Sequence, residues 1–346
     1  MEAFMSKKKV LFLWNIRKEL KDYLTTNLKD IPDLELNFTD NVEEDFTPDS
    51  PHIQDAEIII GWQPSLELLQ SANKLKLFIN PGVGVQQLIE MFREIRKTRD
   101  ITLINGHGNT YFTAQSAVAL LLSLMNKIIP HHNAMREGKW RLGDDFAKNI
   151  PLRDRTVGLL GYGAINSKVH RFLSGFSIDF AALKTSWDDH QEFPTPLKKY
   201  SIDELHAFLK HIDILIVAVP LTSITRNMIA EKEIEILTKN KSSILVNISR
   251  GPVVNEKALY ESLKSNKLTG AALDVWYDYN PKLDEQGRKN PAHYPFYELE
   301  NLVMSPHRAA SPFDDLQRWN EVIENIRRFC LGRTDFINIV DLDKEY

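Results

Sequence analysis

The chain has 346 residues, 43% of them hydrophobic and 26% charged, with a formal net charge of -4. That length and apolar content suit two globular domains with sizeable cores, and the small, dispersed charge argues against a nucleic-acid surface or a polybasic membrane patch. The single cysteine, Cys330, excludes an internal disulfide and most cysteine metal sites, which fits a reducing, cytoplasmic setting.

The first residues superficially resemble a signal peptide, but the apolar run Val10 to Trp14 is cut short by Asn15, Arg17 and Lys18, so it reads as a first buried strand. Further strands are predicted at Leu34 to Phe38, Glu57 to Gly61, Leu75 to Asn80 and Ile101 to Ile104, separated by amphipathic segments such as Arg17 to Leu28 and Ser65 to Ala72. This alternation predicts a parallel α/β domain. The acidic stretch Asp40 to Ser50 reads as a solvated loop. Between the fourth strand and the next helix lies NPGVGVQQL, where the amides of Val83 and Gly84 either hold a substrate carboxylate or serve only a glycine turn.

From about Thr113 a long apolar helix is expected to connect two domains and to contribute to a homodimer contact. Its longest apolar stretch, Ala117 to Met125, is far short of the roughly 20 residues needed to span a bilayer, so no membrane association is expected. His131 and His132 at its end read as helix-end residues, since no third ligand sits at metal spacing. A crossing segment, Asp144 to Asp154, follows.

Arg155 to Ser186 then reads as strand (Thr156 to Leu160), glycine turn, helix (Ile165 to Leu173) and strand (Ile178 to Leu183), the order of a dinucleotide-binding βαβ unit. Gly161 permits the sharp reversal, Gly163 removes a Cβ from the path of a pyrophosphate, and the amides of Ala164 and Ile165 open a helix whose dipole favours an anion. Asn166 replaces the usual third glycine, which serves close helix-strand packing.

Later strands at Ile212 to Val219, Ser243 to Ile248, Ala271 to Val275 and Leu302 to Met304 each end in an unusual residue. The first runs into Pro220, the second leaves Arg250 at its tip, the third ends at Asp274, and the fourth is followed by His307. An arginine, an acid and a histidine at neighbouring strand ends converge on the edge where a dinucleotide lies, which points to function.

The segments VGLLGYGAI, VAVPLT with Thr225 and Arg226, VNISRGPVVNEKAL, GAALDVW and SPHRA, with NPGVGVQQL and REGKW, together resemble the D-isomer-specific 2-hydroxyacid dehydrogenases. The resemblance implies two parallel-sheet Rossmann-like domains, the cofactor domain (113–308) inserted into a substrate domain (1–112 and 309–346). It implies Arg250 and His307 as catalytic residues, and Val83 and Gly84 as substrate-binding ones. The nicotinamide cofactor would meet Gly161, Gly163, Ala164, Ile165, Lys184, Thr185, Ser186, Val219, Pro220, Thr225, Ile248 and Asp274, with Asp274 helping to place the carboxamide. No metal is implied, and a homodimer is the family norm. The implied reaction is hydride transfer to a small 2-oxo acid, of the glyoxylate or hydroxypyruvate type. A cofactor-binding, corepressor-like protein and a formate-dehydrogenase-like enzyme are the alternatives.

Three positions depart from the pattern. The family usually has a glutamate five residues after the aspartate and before a proline; here counting gives Tyr279 or Asn280, with Asp278 as a substitute from a shifted loop. Arg308 follows the histidine and either recognises a second anionic group or forms a surface salt bridge. Lys184, Thr185 and Ser186 stand where an acid normally selects NAD, so NADP(H) is expected in preference to NAD(H), unless Asp188 or Asp189 reaches the ribose instead.

Overall fold

The computed structural model describes residues 7–39, 47, 49–141, 143, 148–240, 242–310 and 315–346. The expected Asp40 to Ser50 loop lies largely outside these residues, as does part of the Asp144 to Asp154 crossing segment. Two compact units form, Met1–Asn109 with Phe313–Tyr346, and Thr110–Pro312.

In the first unit, β1 (Lys8–Phe12), β2 (Leu34–Phe38), β3 (Ile58–Ile60), β4 (Leu77–Asn80) and β5 (Thr102–Asn105) make one parallel sheet in the order β2-β1-β3-β4-β5. Helices cover parallel sheets on both faces, so the central strands read as continuous apolar runs, and Ile58, Ile59 and Ile60 are all fully buried. One face packs with Phe78, Leu88 and Phe92, the other with Leu24, Trp319 and Ile326, the last two from the carboxyl-terminal segment. That segment also closes the β5 edge. Asn105 N donates to Asn338 O at 3.1 Å and Val340 N to Leu103 O at 2.9 Å, which removes an open edge.

The second unit holds seven parallel strands: β6 (Thr156–Leu160), β7 (Asp179–Leu183), β8 (Lys198–Tyr200), β9 (Ile214–Val217), β10 (Ile244–Asn247), β11 (Gly270–Leu273) and β12 (Leu302–Met304). Their order, β12-β11-β10-β9-β6-β7-β8, reverses direction between β6 and β9. Such a switch point opens a crevice at the strands' carboxyl ends, the place where α/β sheets bind ligands. β8 was not expected from sequence, because a three-residue Lys-Lys-Tyr edge strand carries no apolar alternation.

The apolar helix begins at Thr110 and ends at Met125, and its buried Ala114, Ala117, Leu121 and Met125 pack into the core of this second sheet. A second helix, Ile128–Arg136, follows at a 65° bend, with Lys127 in the left-handed region (φ 53°). A single continuous helix was therefore the wrong expectation, for the chain reverses its local conformation at Lys127 before His131 and His132. Among the described residues no single helix is long and apolar enough to cross a membrane.

Candidate active site

The glycine turn leaves β6 at Gly161, whose φ of 79° suits only glycine. A Cβ there would lie 2.7 Å from Val219 Cγ1 and 2.8 Å from Ala218 O, so Gly161 lets the turn press against the exit of β9. At Gly163 a Cβ would meet nothing within 4 Å, leaving open space above the turn. No backbone carbonyl among the described residues accepts from the N–H of Gly163, Ala164 or Ile165, which open the helix Asn166–Leu173. Free amides, a helix start and a missing side chain fit the pyrophosphate of a dinucleotide.

Asn166 does more than occupy the third glycine's place. It is fully buried, and its Nδ2 donates to Leu160 O (3.2 Å), Gly161 O (2.7 Å) and Ile216 O (3.4 Å). Hydrogen bonds thus replace close glycine packing as the tie between helix, turn and strands. Tyr162 adds a second tie: its hydroxyl meets His170 Nδ1 at 2.8 Å, and His170 Nε2 meets Thr195 Oγ1 at 2.8 Å. Burial pushes the Tyr162 phenol up to about 12 and the His170 imidazole down to about 4, so both stay neutral near pH 7.

Lys184, Thr185 and Ser186 follow β7. The hydroxyls of Thr185 and Ser186 are exposed and have no hydrogen-bond partner among the described residues. Lys184 Nζ lies 5.8 Å from the centre of the Trp187 ring, and Lys199 Nζ lies 5.4 Å from the same ring. Two cations therefore flank this strand end, of which sequence reading named one. Asp188 Oδ1 accepts from His190 N at 2.9 Å, within its own turn.

Val219 and Pro220 lead out of β9. Thr225, expected to meet the cofactor, uses its hydroxyl inside the loop: it donates to Pro220 O at 2.6 Å and accepts from Thr222 N at 2.8 Å. Ile248 is 4% exposed, so its side chain belongs to the core beside β10.

Arg250 is aimed by Asn247, which sequence reading missed. Asn247 Oδ1 accepts from Ser249 N and Oγ, and Nδ2 donates to Arg250 O at 3.0 Å, closing a small loop at the β10 tip. Gly251 packs so closely that a Cβ would lie 2.2 Å from Trp276 O. The guanidinium donates to Ser249 O at 2.7 Å, and no carboxylate among the described residues pairs with it. Burial lowers its pKa, opposed by the nearby Tyr279 phenol. A partly desolvated guanidinium with no carboxylate partner among the described residues is chemically suited to pair with a carboxylate.

Asp274, expected beside the nicotinamide, holds the turn after β12. Its side chain is 1% exposed; Oδ1 accepts from Ser305 Oγ and from Arg308 N at 2.7 Å, and Oδ2 from Ala309 N at 3.0 Å. The carboxylate thus ties together the turn after β12. What it holds is His307, which sits in the left-handed region (φ 54°). His307 keeps one side open to solvent, yet the protein around it lowers its pKa, burial first and then the Arg250 charge, with Arg308 adding to the fall and Asp274 opposing it.

In the first unit, Asn80 and Asn105 are opposite each other at the ends of β4 and β5. Asn80 Nδ2 donates to Gly82 O (2.5 Å) and Gly84 O (3.1 Å), and Asn105 Nδ2 to Val83 O (2.7 Å). The loop carbonyls are thereby turned inward, and no backbone carbonyl among the described residues accepts from Val83 or Gly84 N–H. Neither asparagine was singled out from sequence, although an asparagine before Pro-Gly at a strand end is a visible signal.

The family model described as "D-isomer specific 2-hydroxyacid dehydrogenase, NAD binding domain" matches residues 118–309. A glyoxylate reductase of Korarchaeum cryptofilum is 30% identical over 270 residues, 77% of this chain and 76% of that protein. A D-3-phosphoglycerate dehydrogenase of Archaeoglobus fulgidus is 30% identical over 308 residues, 88% of this chain and 53% of that protein. The chain spans about half the length of the phosphoglycerate dehydrogenases it matches, 54% and 53% for two of them. The solved NADPH-dependent glyoxylate/hydroxypyruvate reductase of Sinorhizobium meliloti, in complex with NADP and malonate, shares the fold at a TM-score of 0.73 and 22% identity, over 98% of each chain. With the family model covering more than half of the sequence and a relative 30% identical over 76% of its own length, the chain belongs to the D-isomer specific 2-hydroxyacid dehydrogenase family.

Proposed function

We propose that the protein reduces a small 2-oxo acid of the glyoxylate or hydroxypyruvate type to its D-2-hydroxy acid, with NADPH preferred to NADH. The observation that carries this reading is Arg250, a half-buried guanidinium at a strand tip without a carboxylate partner among the described residues. Family membership and the glyoxylate reductase relative support the substrate class.

A bound nicotinamide cofactor supplies the hydride. Arg250 pairs with the substrate carboxylate and polarises its carbonyl, and Val83 and Gly84 are the substrate-binding amides of this reading. His307 gives its proton to the developing alkoxide in reduction and takes it back in oxidation. Asp274 keeps the His307 turn in place. The amides of Gly163, Ala164 and Ile165 hold the pyrophosphate. Lys184, Thr185 and Ser186, with Lys199 nearby, take the 2′-phosphate, since the positive charge and the hydroxyls suit a phosphate.

Residues 1–112 and 309–346 act as the substrate domain in this reading, and 113–308 as the dinucleotide domain. A cytoplasmic homodimer completes it, supported by the exposed apolar side chains Ile128, Ile129, Met135 and Trp140 following the long helix. The test is a steady-state panel of glyoxylate, hydroxypyruvate, pyruvate, phenylpyruvate and 2-oxoisocaproate with each cofactor. Turnover of glyoxylate or hydroxypyruvate with NADPH is expected; silence across the panel with cofactor binding intact overturns the reading in favour of a cofactor-binding regulator.

A further inference from the structure

The segment leaving β11 carries Trp276, Tyr277, Asp278 and Tyr279, and their side chains diverge. Trp276 Nε1 donates to Ser305 O at 2.8 Å. The Tyr277 hydroxyl donates to Val254 O at 3.0 Å. Asp278 Oδ1 turns back to accept from Asn280 N at 2.9 Å. Tyr279 alone reaches the histidine: its ring and that of His307 meet edge-on, with centroids 5.4 Å apart and planes at 65°.

Neither imidazole nitrogen of His307 has a hydrogen bond among the described residues. Asp274 fixes the backbone of its turn, but nothing in that turn fixes the ring. A group that transfers a proton must be oriented as well as placed, because misdirection of a donor costs rate even when its chemistry is unchanged. We propose that Tyr279 is the positioning residue of His307, holding the imidazole by edge-on ring packing and without the charge that a carboxylate partner would bring.

The charged and titratable groups facing His307 fit this division of labour. Arg250 and Arg308 are cations, and the Asp274 carboxylate is engaged by Ser305, Arg308 and Ala309. Tyr279 is 53% exposed; its hydroxyl accepts from Trp276 N at 3.4 Å, and partial desolvation raises its pKa, so the phenol stays neutral. Tyr279 thus orients the ring while leaving its proton affinity to the cations, whereas an acid at this position would set both.

Three substitutions separate the two effects. Tyr279→Phe keeps the ring, Tyr279→Ala removes it, and Tyr279→Glu exchanges the ring for a charge. The His307 ring protons, assigned through His307→Gln, are titrated by NMR in the native chain and each variant, alongside pH profiles of kcat. Tyr279→Phe is expected to keep kcat within about threefold of native, while Tyr279→Ala loses about tenfold or more in kcat with a smaller change in KM, as for loss of orientation. Tyr279→Glu is expected to move the His307 titration upward by about one unit or more, with the alkaline limb of kcat following it. In Tyr279→Ala the His307 ring shifts are expected to move, since the neighbouring aromatic ring is gone.

Unchanged His307 ring shifts and unchanged kcat in Tyr279→Ala overturn the proposal. So does a Tyr279→Phe variant as impaired as Tyr279→Ala, which would assign the role to the hydroxyl. The kcat arm rests on the reductase reading above; the NMR arm does not. If the native chain turns over no 2-oxo acid, the reductase reading fails, and the response of the His307 shifts to Tyr279→Ala and Tyr279→Phe still decides the ring contact.

Discussion

The backbone N–H of Arg308 donates to Asp274 Oδ1 at 2.7 Å, so a buried acid at the end of one strand clamps the residue next to His307 at the end of another. Ser305 Oγ and Ala309 N complete the clamp from either side of the histidine. Both carboxylate oxygens accept, and an amide in their place would turn one donor against another. Asp274→Asn is therefore expected to lower folding stability by about 1–3 kcal/mol, the cost of leaving a buried donor unsatisfied. Turnover should fall with it, while NADPH affinity changes little, because the clamp serves the histidine turn. Urea denaturation and cofactor titration check this; native stability in the variant would assign the carboxylate another role.

Cofactor choice rests on the end of β7. Lys184 and Lys199 flank Trp187 there, and the hydroxyls of Thr185 and Ser186 have no hydrogen-bond partner among the described residues. The native chain is expected to have the higher kcat/KM with NADPH. Lys184→Asp should reduce or reverse that preference by repelling a 2′-phosphate, by about tenfold or more in the ratio. Native preference for NADH would remove Lys184 from the phosphate site and leave the dehydrogenase reading standing.

Most of the second unit was legible in the sequence because buried parallel strands are uniformly apolar and each ends in a distinctive residue. Arg250 and His307 could be named that way. What was not legible depends on side-chain direction. Asp274 occupies a strand end like a ligand-binding acid, yet its oxygens face the β12 turn; Thr225 carries a hydroxyl that its own loop consumes. Asn247, Asn80 and Asn105 act by holding backbone carbonyls, a role that leaves no spacing pattern. Asn166 was read as a weakened glycine motif, and the structure shows it tying three carbonyls instead. Of Asp278, Tyr279 and Asn280, only geometry identifies Tyr279 as the neighbour of His307.

The buried pair Tyr162 and His170 gives a pH dependence of stability. His170 is fully buried with its pKa lowered to about 4, against an ordinary value near 6.5. Between these values the unfolded chain binds a proton that the folded chain does not, so stability is fully present above the unfolded pKa and declines as pH falls toward the folded one. The contribution is on the order of 3 kcal/mol, from the linkage of pKa to free energy. His170→Gln, which has no proton to take up, should lose less stability between pH 6.5 and 4 than the native chain. Equal losses in denaturation curves at the two pH values would contradict this.

The central claim, hydride transfer to a 2-oxo acid bound by Arg250, is tested most directly by isotope transfer. The protein is mixed with hydroxypyruvate and NADPH deuterated at the transferable position of the nicotinamide, and the glycerate formed is analysed for label and configuration. Deuterium at carbon 2 of D-glycerate is expected from the native chain. Arg250→Ala should form almost none while binding NADPH normally, Arg250→Lys should recover only part because it lacks the paired geometry, and His307→Gln should slow transfer by about a hundredfold or more. Tight NADPH binding by the native chain with no deuterium in any 2-hydroxy acid would contradict the claim.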